Sequence, residues 1–313
     1  MSLCSCCGRS QVFFVRGYSG ERLCKRCFVR SVEGKVRATV GRFGMFRFDD
    51  RVAVAVSGGK DSTSLLRILV GLERSFPRAE LVGVSVDEGI AGYRDEALVI
   101  ARKNCRRLGV EHVVVGFGEL FGVGLDDLVA RLRDKGEGLG SVCAFCGVLR
   151  RRALNLVARR VGADKLATGH TLDDEVETVL LNVFRGDVWR LAKEKPVSDV
   201  VDERLVPRVK PFCLIPEREV ALYAFVRGVR FQSSACPYAG GAFRNDARAM
   251  INAMEEKHAG VKFAISGSFE RLRPYLDGLV RSEGVRECSV CGELTTGEVC
   301  RVCGMLRELG IRD

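Results

Sequence analysis

Two patterns of hydrophobic positions alternate along the chain. Short unbroken runs of small and β-branched residues are followed by longer stretches in which leucines and valines recur every three or four places. Residues 52–56, Val-Ala-Val-Ala-Val, form such a run, and a continuous apolar run bounded by turn residues predicts a strand buried on both faces. It breaks at Ser57-Gly58-Gly59-Lys60-Asp61-Ser62. Residues 62–76 then carry leucines at 65, 66, 69 and 72, the spacing of an amphipathic helix. The same reading places strands at 79–86, 111–117 and 165–168, with helices at 93–108 and 148–161. Strands separated by helices predict an α/β fold with a doubly wound parallel sheet, its ligands bound beyond the strand carboxyl ends. Residues 121–140, glycine-rich and charged, read as a mobile lid or insertion. Further helices are expected at 216–228, 246–258 and 269–279, with a non-helical loop at 232–238.

The break after the first of these strands has chemistry of its own. Gly58 and Gly59 let the backbone approach a ligand with no Cβ in the way. The amino end of the following helix favours an anion. Lys60 adds a point charge, and Ser57 and Ser62 add hydroxyl donors. The spacing is shorter than that of the Walker loop and lacks its final Gly-Lys-Ser/Thr. Ser-Gly-Gly-Lys-Asp-Ser after a strand resembles the PP-loop of ATP pyrophosphatases, enzymes that adenylate a substrate and release pyrophosphate. The competing reading is a plain glycine turn capped by Asp61 or Ser62.

Cysteine spacing changes the view of the two ends. Cys4-x-x-Cys7 and Cys24-x-x-Cys27 bracket a short β-like stretch at 12–15, and Cys288-x-x-Cys291 and Cys300-x-x-Cys303 repeat the device near the carboxyl end. Four thiolates at finger spacing predict a tetrahedral zinc site that staples a segment too small for its own core. The expected organisation is a zinc finger at 1–30, a basic linking helix at 31–50 (its periodic part 31–48), the main α/β domain at 51–280 and a zinc ribbon at 281–313. Fourteen cysteines in a chain whose amino end lacks an apolar leader point to metal or redox chemistry in the cytoplasm before they point to disulfides. A net charge of +10 favours an acidic partner, nucleic acid foremost. No run approaches the ~18 apolar residues of a membrane span, so no membrane partner is expected.

Six cysteines lie outside those tetrads. Cys105 falls within a helix and Cys213 within a strand-like apolar run, which suits core packing; Cys6 competes with Cys7. Cys143-Ala144-Phe145-Cys146 precedes a helix, where a thiol pKa is lowered. Cys236 lies in a distant loop before Pro237. One close pair plus one distant cysteine suits either an iron–sulfur cluster with one iron unligated by protein or a catalytic persulfide with its resolving thiol. After the fourth strand comes Gly169-His170-Thr171-Leu172-Asp173-Asp174-Glu175. Thr171 and Asp174 have the spacing of a capping box, and a carboxylate at a nucleotide site also holds magnesium against phosphates. His170 either touches the nucleotide or supports the residues that do.

These motifs occur in order with Leu-Asn-Val-Phe-Arg-Gly-Asp at 181–187 and Ala235-Cys236-Pro237-Tyr238. Together they resemble the tRNA 2-thiouridine synthetases of the cytosolic and archaeal type, over nearly the whole chain. The resemblance implies a fold of the PP-loop ATP pyrophosphatase type flanked by two zinc modules. It implies ATP, Mg²⁺, two Zn²⁺ and a [4Fe–4S] cluster as cofactors, with Cys143, Cys146 and Cys236 as cluster ligands. An ATP site of Ala55, Ser57, Gly58, Gly59, Lys60, Asp61, Ser62, Gly169, His170, Asp173 and Asp174 follows, with Asp174 as a catalytic or metal-holding acid. Its partners would be tRNA, a second copy of the chain, and a ubiquitin-like carrier thiocarboxylate or inorganic sulfide as sulfur source. Some members have a catalytic lysine where this chain has Arg150. Arginine stays charged and grips phosphate, but is not a tunable proton donor. Arginine there favours the wobble-uridine branch over the T-loop branch. The rivals are another PP-loop tRNA-modifying ligase, which would not need the three cysteines, and a non-catalytic zinc-ribbon RNA-binding module, which would not need the PP-loop.

Overall fold

The computed structural model describes residues 3–136, 139–239, 243–278 and 284–311, with the side chains of 139–141 left aside. Strands β1 (Phe14–Val15) and β2 (Arg22–Leu23) form an antiparallel hairpin, and helix α1 (Lys25–Arg42) follows. The αβ core then runs β3 (Arg51–Ala55), α2 (Lys60–Glu73), β4 (Glu80–Asp87), α3 (Arg94–Leu108), β5 (Glu111–Gly116), α4 (Phe117–Phe121), α5 (Leu125–Asp134) and α6 (Leu139–Arg160). It continues through β6 (Lys165–Ala167), α7 (Leu172–Phe184), α8 (Val188–Ala192), β7 (Arg208–Val209), α9 (Glu217–Val226), α10 (Phe243–Lys257) and α11 (Val261–Asp277). The hairpin β8 (Arg286–Glu287) and β9 (Leu294–Thr295) and helix α12 (Arg301–Glu308) come last.

The central sheet has five parallel strands in the order β5-β4-β3-β6-β7. The chain builds outward from β3 to β5, then returns to lay β6 on the other side of β3. That reversal opens a crevice beyond the carboxyl ends of β3 and β6, where ligands of such sheets bind. Because side chains alternate across a strand, Val52 and Val54 enter one core while Ala53 enters the other. The first core takes in α1, α2, α3 and α9, and the second takes in α5, α6 and α12. Cys4, Cys24 and Cys27 belong to the first core, and Cys288, Cys300 and Cys303 to the second. The two cysteine modules therefore clamp opposite faces of one sheet.

Three expectations need correction. The basic linking helix at 31–48 begins earlier, at Lys25, and ends at Arg42. Cys24 stands in extended conformation before it, and Cys27, Phe28, Val32 and Val36 extend one buried stripe back into the cysteine module. Gly44 at φ +54° then turns the chain, and Met45 is fully buried. The segment 121–140 is no lid over its described part. Leu125, Leu128, Val129 and Leu132 bury one face of α5 in the second core; residues 137–138 lie outside the described residues. Helix α6 starts at Leu139, ahead of the cysteines, because Val142 shares a buried face with Leu149, Ala153 and Val157. Smaller differences are the short edge strand β7, which pattern did not reveal, and Cys213, which is buried in a turn. Helix α11 starts at Val261, ahead of the expected 269, and carries Pro274 inside it. The boundary expected at 280–281 lies outside the described residues.

A buried ion pair ties the amino-terminal module to the sheet domain. Arg16, with no exposed surface, grips Glu219 of α9 with two hydrogen bonds, Nη2 to Oε2 at 2.6 Å and Nε to Oε1 at 3.0 Å. Its third nitrogen, Nη1, donates to Glu21 at 2.7 Å and Ser31 at 2.8 Å. Removing one partner of such a pair strands a buried charge, a loss of about 3–5 kcal/mol. Arg16→Met should therefore lower the unfolding free energy by that order, read as a lower urea midpoint, and Arg16→Met with Glu219→Leu should recover part of the loss. Equal midpoints for Arg16→Met and the parent would show the pair to be energetically idle.

Candidate active site

The glycine turn after β3 is shaped by close approach. Gly58 has φ +87°, and a Cβ there would fall 2.4 Å from the carbonyl oxygen of Ala97. Only glycine fits. Ser62 Oγ accepts from the main-chain N–H of Ser57 at 3.1 Å, lies 3.0 Å from Ser57 Oγ and donates to Gly59 O at 3.1 Å. These bonds close the loop around the first turn of α2, with Ala55 at the strand end beneath it. Gly169, beyond β6, packs on the same turn: a Cβ there would meet Ser62 N at 3.0 Å. The turns after the two central strands thus share one crevice, as the sequence predicts.

Charges in the crevice are already paired. Lys60 Nζ lies 2.9 Å from Asp61 Oδ2 and 2.5 Å from Glu217 Oε1. Burial pushes the Asp61 carboxyl up to about 6, against the pull of Lys60. Its Oδ1 is buried with no hydrogen-bond partner, a cradle suited to a ligand or cation. Asp173 accepts from Glu217 N at 2.7 Å and from buried Lys262. Asp173 therefore anchors α9 and α11 to α7.

Asp174 closes the expected capping box. Its Oδ2 accepts from Thr171 N at 2.9 Å and from Thr171 Oγ1 at 3.0 Å. Arg244 and Arg248 of α10 each stand 3.9 Å from its Oδ1. Burial opposes its ionisation, but His170, Thr171 and Arg244 outweigh that and hold the carboxyl below the usual range. His170, exposed beyond β6, has Nδ1 2.8 Å from Thr168 Oγ1. Crowding by protein, then the charge of Lys210, push its imidazole down to about 4, so it is neutral at pH 7.

The three cysteines converge beside this crevice. Cys143 and Cys146 stand three residues apart on α6, hence on one helix face. Cys236 approaches from the loop after α9, close enough to influence both electrostatically. That loop is fastened at several points. Gln232 N donates to Gly58 O at 2.9 Å, and its side-chain amide donates to Tyr93 O at 2.7 Å. Tyr238 donates to Asp126 of α5 at 2.7 Å, and Cys143 Sγ to Tyr238 O at 3.4 Å. The segment expected as a lid is in fact a brace for the cysteine loop. Burial pushes both α6 thiols up, Cys146 to about 11. The expected lowering at a helix start fails because α6 begins a turn earlier.

Sequence reasoning missed the link between the two halves. Arg94, almost fully buried, donates to Ser57 O and to Val86 O, each at 2.7 Å. Its Nε lies 2.7 Å from the Glu88 carboxylate, and Arg150 stands 3.7 Å from the other Glu88 oxygen. Glu88 follows β4 directly at the carboxyl edge of the sheet, the one signal that could have marked it. Glu217, Arg244 and Arg248 had no local signal. Their roles arise from α9 and α10 packing on α2 and α7.

A family model described as a PP-loop domain matches residues 31–253. The chain is 36% identical to the tRNA 2-thiolation protein NcsA of Haloferax volcanii, over 98% of each chain. It is 38% identical to the cytoplasmic tRNA 2-thiolation protein 1 of Drosophila yakuba, over 97% of this chain and 86% of the other. Among solved structures, the U34-tRNA thiolase NcsA from Methanococcus maripaludis with its [4Fe-4S] cluster superposes with a TM-score of 0.84. It is 34% identical, with 99% of this chain and 97% of that chain covered.

The chain belongs to the PP-loop tRNA 2-thiolation family.

Both terminal tetrads expected of a member of this tRNA 2-thiolation family are assembled. The sulfurs of Cys4, Cys7, Cys24 and Cys27 lie within 4.8 Å of one another, as do those of Cys288, Cys291, Cys300 and Cys303. Cys7 and Cys24 sulfurs are 4.0 Å apart, and Cys291 and Cys300 sulfurs 3.7 Å. Hydrogen bonding from the Cys24 main chain is the largest influence bringing Cys4 down to about 6. Burial raises the Cys288 thiol, but N–H groups, Cys300 N at 3.2 Å first, outweigh it and bring it also to about 6. Burial instead raises the Cys27 and Cys291 thiols, so only part of each tetrad is poised as thiolate; four sulfurs at this spacing suit a single tetrahedral ion. Among the described residues these tetrads are the metal-type groups this tight. Cys143, Cys146 and Cys236 form no group this tight among the described residues.

The Asp61 shift has a signed consequence. A carboxyl with its folded pKa raised to about 6 favours folding below the unfolded value and loses that contribution as pH rises through 6. Asp61→Asn does not titrate. The variant should therefore gain stability relative to the parent between pH 4 and 7, by about 1–3 kcal/mol. Urea unfolding midpoints at both pH values measure it; a constant difference would show that Asp61 titrates normally.

Proposed function

We propose that this chain is a cytoplasmic, ATP-dependent tRNA-uridine 2-sulfurtransferase that replaces the C2 oxygen of the wobble uridine with sulfur. One observation carries the reading. The main chain of the Cys236 loop is hydrogen-bonded to Gly58 of the PP-loop through Gln232, which supports reading the nucleotide loop and the three cysteines as one site. Arg150 in place of a lysine and the U34 thiolase relative support the wobble position. Relatives named as cytoplasmic support the location.

The C2 carbonyl of uridine is a poor electrophile with no leaving group. Transfer of AMP from ATP to that oxygen makes one and expels pyrophosphate. The main-chain N–H groups of the Gly58-Gly59 turn, the start of α2 and the Lys60 ammonium are the donors available to the phosphates. Lys60 exchanges its contacts to Asp61 and Glu217 for phosphate oxygens as ATP binds. The Asp174 oxygen not used in the capping box is the one left for magnesium, with Arg244 and Arg248 moving aside or onto phosphate. Arg150 stays charged throughout, held near the cysteines by Glu88, and serves as a phosphate clamp. The donor chemistry of Cys143, Cys146 and Cys236 fits a [4Fe–4S] cluster, which when bound supplies an open iron for carrying sulfur. The sulfur itself comes from sulfide or a carrier thiocarboxylate. The two tetrads hold structural zinc.

Nucleosides from tRNA of a deletion strain test the function: wobble 2-thiouridine should vanish, and its persistence would overturn the assignment. Cys143→Ala, Cys146→Ala and Cys236→Ala should each abolish thiolation with similar severity while ATP still binds, since three ligands act as a unit. Anaerobically purified protein should contain about four irons and about two zincs per chain. Full activity in an iron-free preparation would leave the persulfide reading. Asp174→Asn, which keeps the cap's shape, should reduce AMP formation at least ~100-fold, an ordinary loss for a transition-state charge. Unchanged turnover would make Asp174 a helix cap alone.

A further inference from the structure

The motif Leu181-Asn182-Val183-Phe184-Arg185-Gly186-Asp187 has no part in the chemistry above. It forms the carboxyl end of α7 and the corner into α8, where Gly186 at φ +63° turns the chain and Asp187 caps α8 by accepting from Arg190 N at 2.9 Å. Asn182 is buried within this corner. The large side chains around it face outward instead. Phe184 is 49% exposed, Trp189 55% and Phe243, the first residue of α10, 42%. Phe184 and Phe243 form a tilted pair with ring centroids 6.1 Å apart, and the Arg185 guanidinium lies over the Phe243 ring at 5.6 Å. Arg190 is exposed on the same short helix as Trp189.

An exposed aromatic cluster interleaved with arginine has a defined chemical preference. Unstacked bases of single-stranded RNA stack on aromatic faces and guanidinium planes, while arginines grip the adjoining phosphates. The cluster is also continuous with the active site. Arg244, next to Phe243, donates to Thr178 at 3.0 Å and reaches to 3.9 Å from Asp174. Ten residues of α7 separate Asp174 from Phe184, about 15 Å along the helix axis. A nucleotide chain with its uridine beside Asp174 would run past Arg244 and Arg248 and deliver neighbouring bases to the aromatic corner.

We propose that Phe184, Trp189 and Phe243, with Arg185 and Arg190, form the stacking platform for the unpaired anticodon-loop bases that flank the target uridine. The proposal rests on the tRNA reading above. It explains why apolar rings stand in water at this corner: they are dry only in the RNA complex. A second copy of the chain would have no use for a guanidinium set over the Phe243 ring, and the chain's net charge of +10 opposes self-association there.

Trp189 is the sole tryptophan of the chain, so its fluorescence reports on this corner alone. An anticodon stem-loop RNA titrated into the full-length protein at low salt should quench it. Trp189→Ala and Phe243→Ala, followed by filter binding, should each weaken the complex about 5- to 100-fold, the worth of one stacked base. Trp189→Phe, which keeps an aromatic face, should retain most of the affinity. Circular dichroism and zinc content matching the parent exclude unfolding as the cause. Stem-loop binding with unchanged Trp189 fluorescence and parent-like variants would overturn the platform while leaving thiolation intact. A fluorescence change that follows protein concentration, with dimers in sedimentation, would overturn it in favour of a self-association face. No binding of any tRNA by the parent, with 2-thiouridine retained in the deletion strain, would instead overturn the function on which the platform rests.

Discussion

The close approach of Gly58 to the Ala97 carbonyl is the constraint on which the site depends. With a Cβ at this position falling 2.4 Å from that oxygen, the PP-loop can seat against α3 only if this residue is glycine. Seated there, Gly58 offers its own carbonyl to Gln232, and so fixes the loop that carries Cys236. Its neighbour Ser57 offers its carbonyl to Arg94, which reaches Glu88 and through it Arg150. A single turn of backbone thus ties the start of α2 to the loop that carries Cys236. For a two-stage reaction on one uridine this matters, because misplacement of about 1 Å is enough to cost a large part of the rate.

The sheet that presents this turn is narrow, and its edges and faces are covered by small elements that could not stand alone. Each cysteine tetrad lends its buried residues to a different core. A metal bound there therefore stabilises a face of the catalytic domain as well as its own hairpin. At the amino end, the Arg16–Glu219 pair adds a second tie, and Glu219 stands two residues from Glu217, which holds Lys60. The first turn of α9 consequently carries both the tie to the amino-terminal cysteine module and one contact of the PP-loop.

Local sequence was most informative where one short stretch contains its own physics. The run 52–62 shows strand, glycine turn and helix together, and the structure has them in that order. Thr171 and Asp174 satisfy each other across three residues, so their capping box was readable as well. The cysteine pairs were legible by spacing, and their convergence into tetrads followed. What failed was whatever depends on burial by distant partners. The segment after 121 has the glycines and charges of a loop, yet α5 buries four apolar residues against the second core. Arg244 and Arg248 look like ordinary residues of a basic helix until α10 is laid across α7.

The thiol environment shows why those distant partners matter. A helix amino end would lower a cysteine pKa, and the sequence around Cys143 invited that inference. In the folded chain α6 extends past the cysteines, and burial raises both thiols despite Arg150 nearby. At pH 7 such thiols stay protonated, and a protonated thiol is a weak nucleophile and a weak ligand. Persulfide chemistry would need a thiolate ready before sulfur arrives, and burial works against it here. A bound metal group reverses the balance, because its positive charge deprotonates the thiols it binds. Burial thus leaves both α6 thiols less ready to ionise on their own, and the positive charge of Arg150 offsets that only in part.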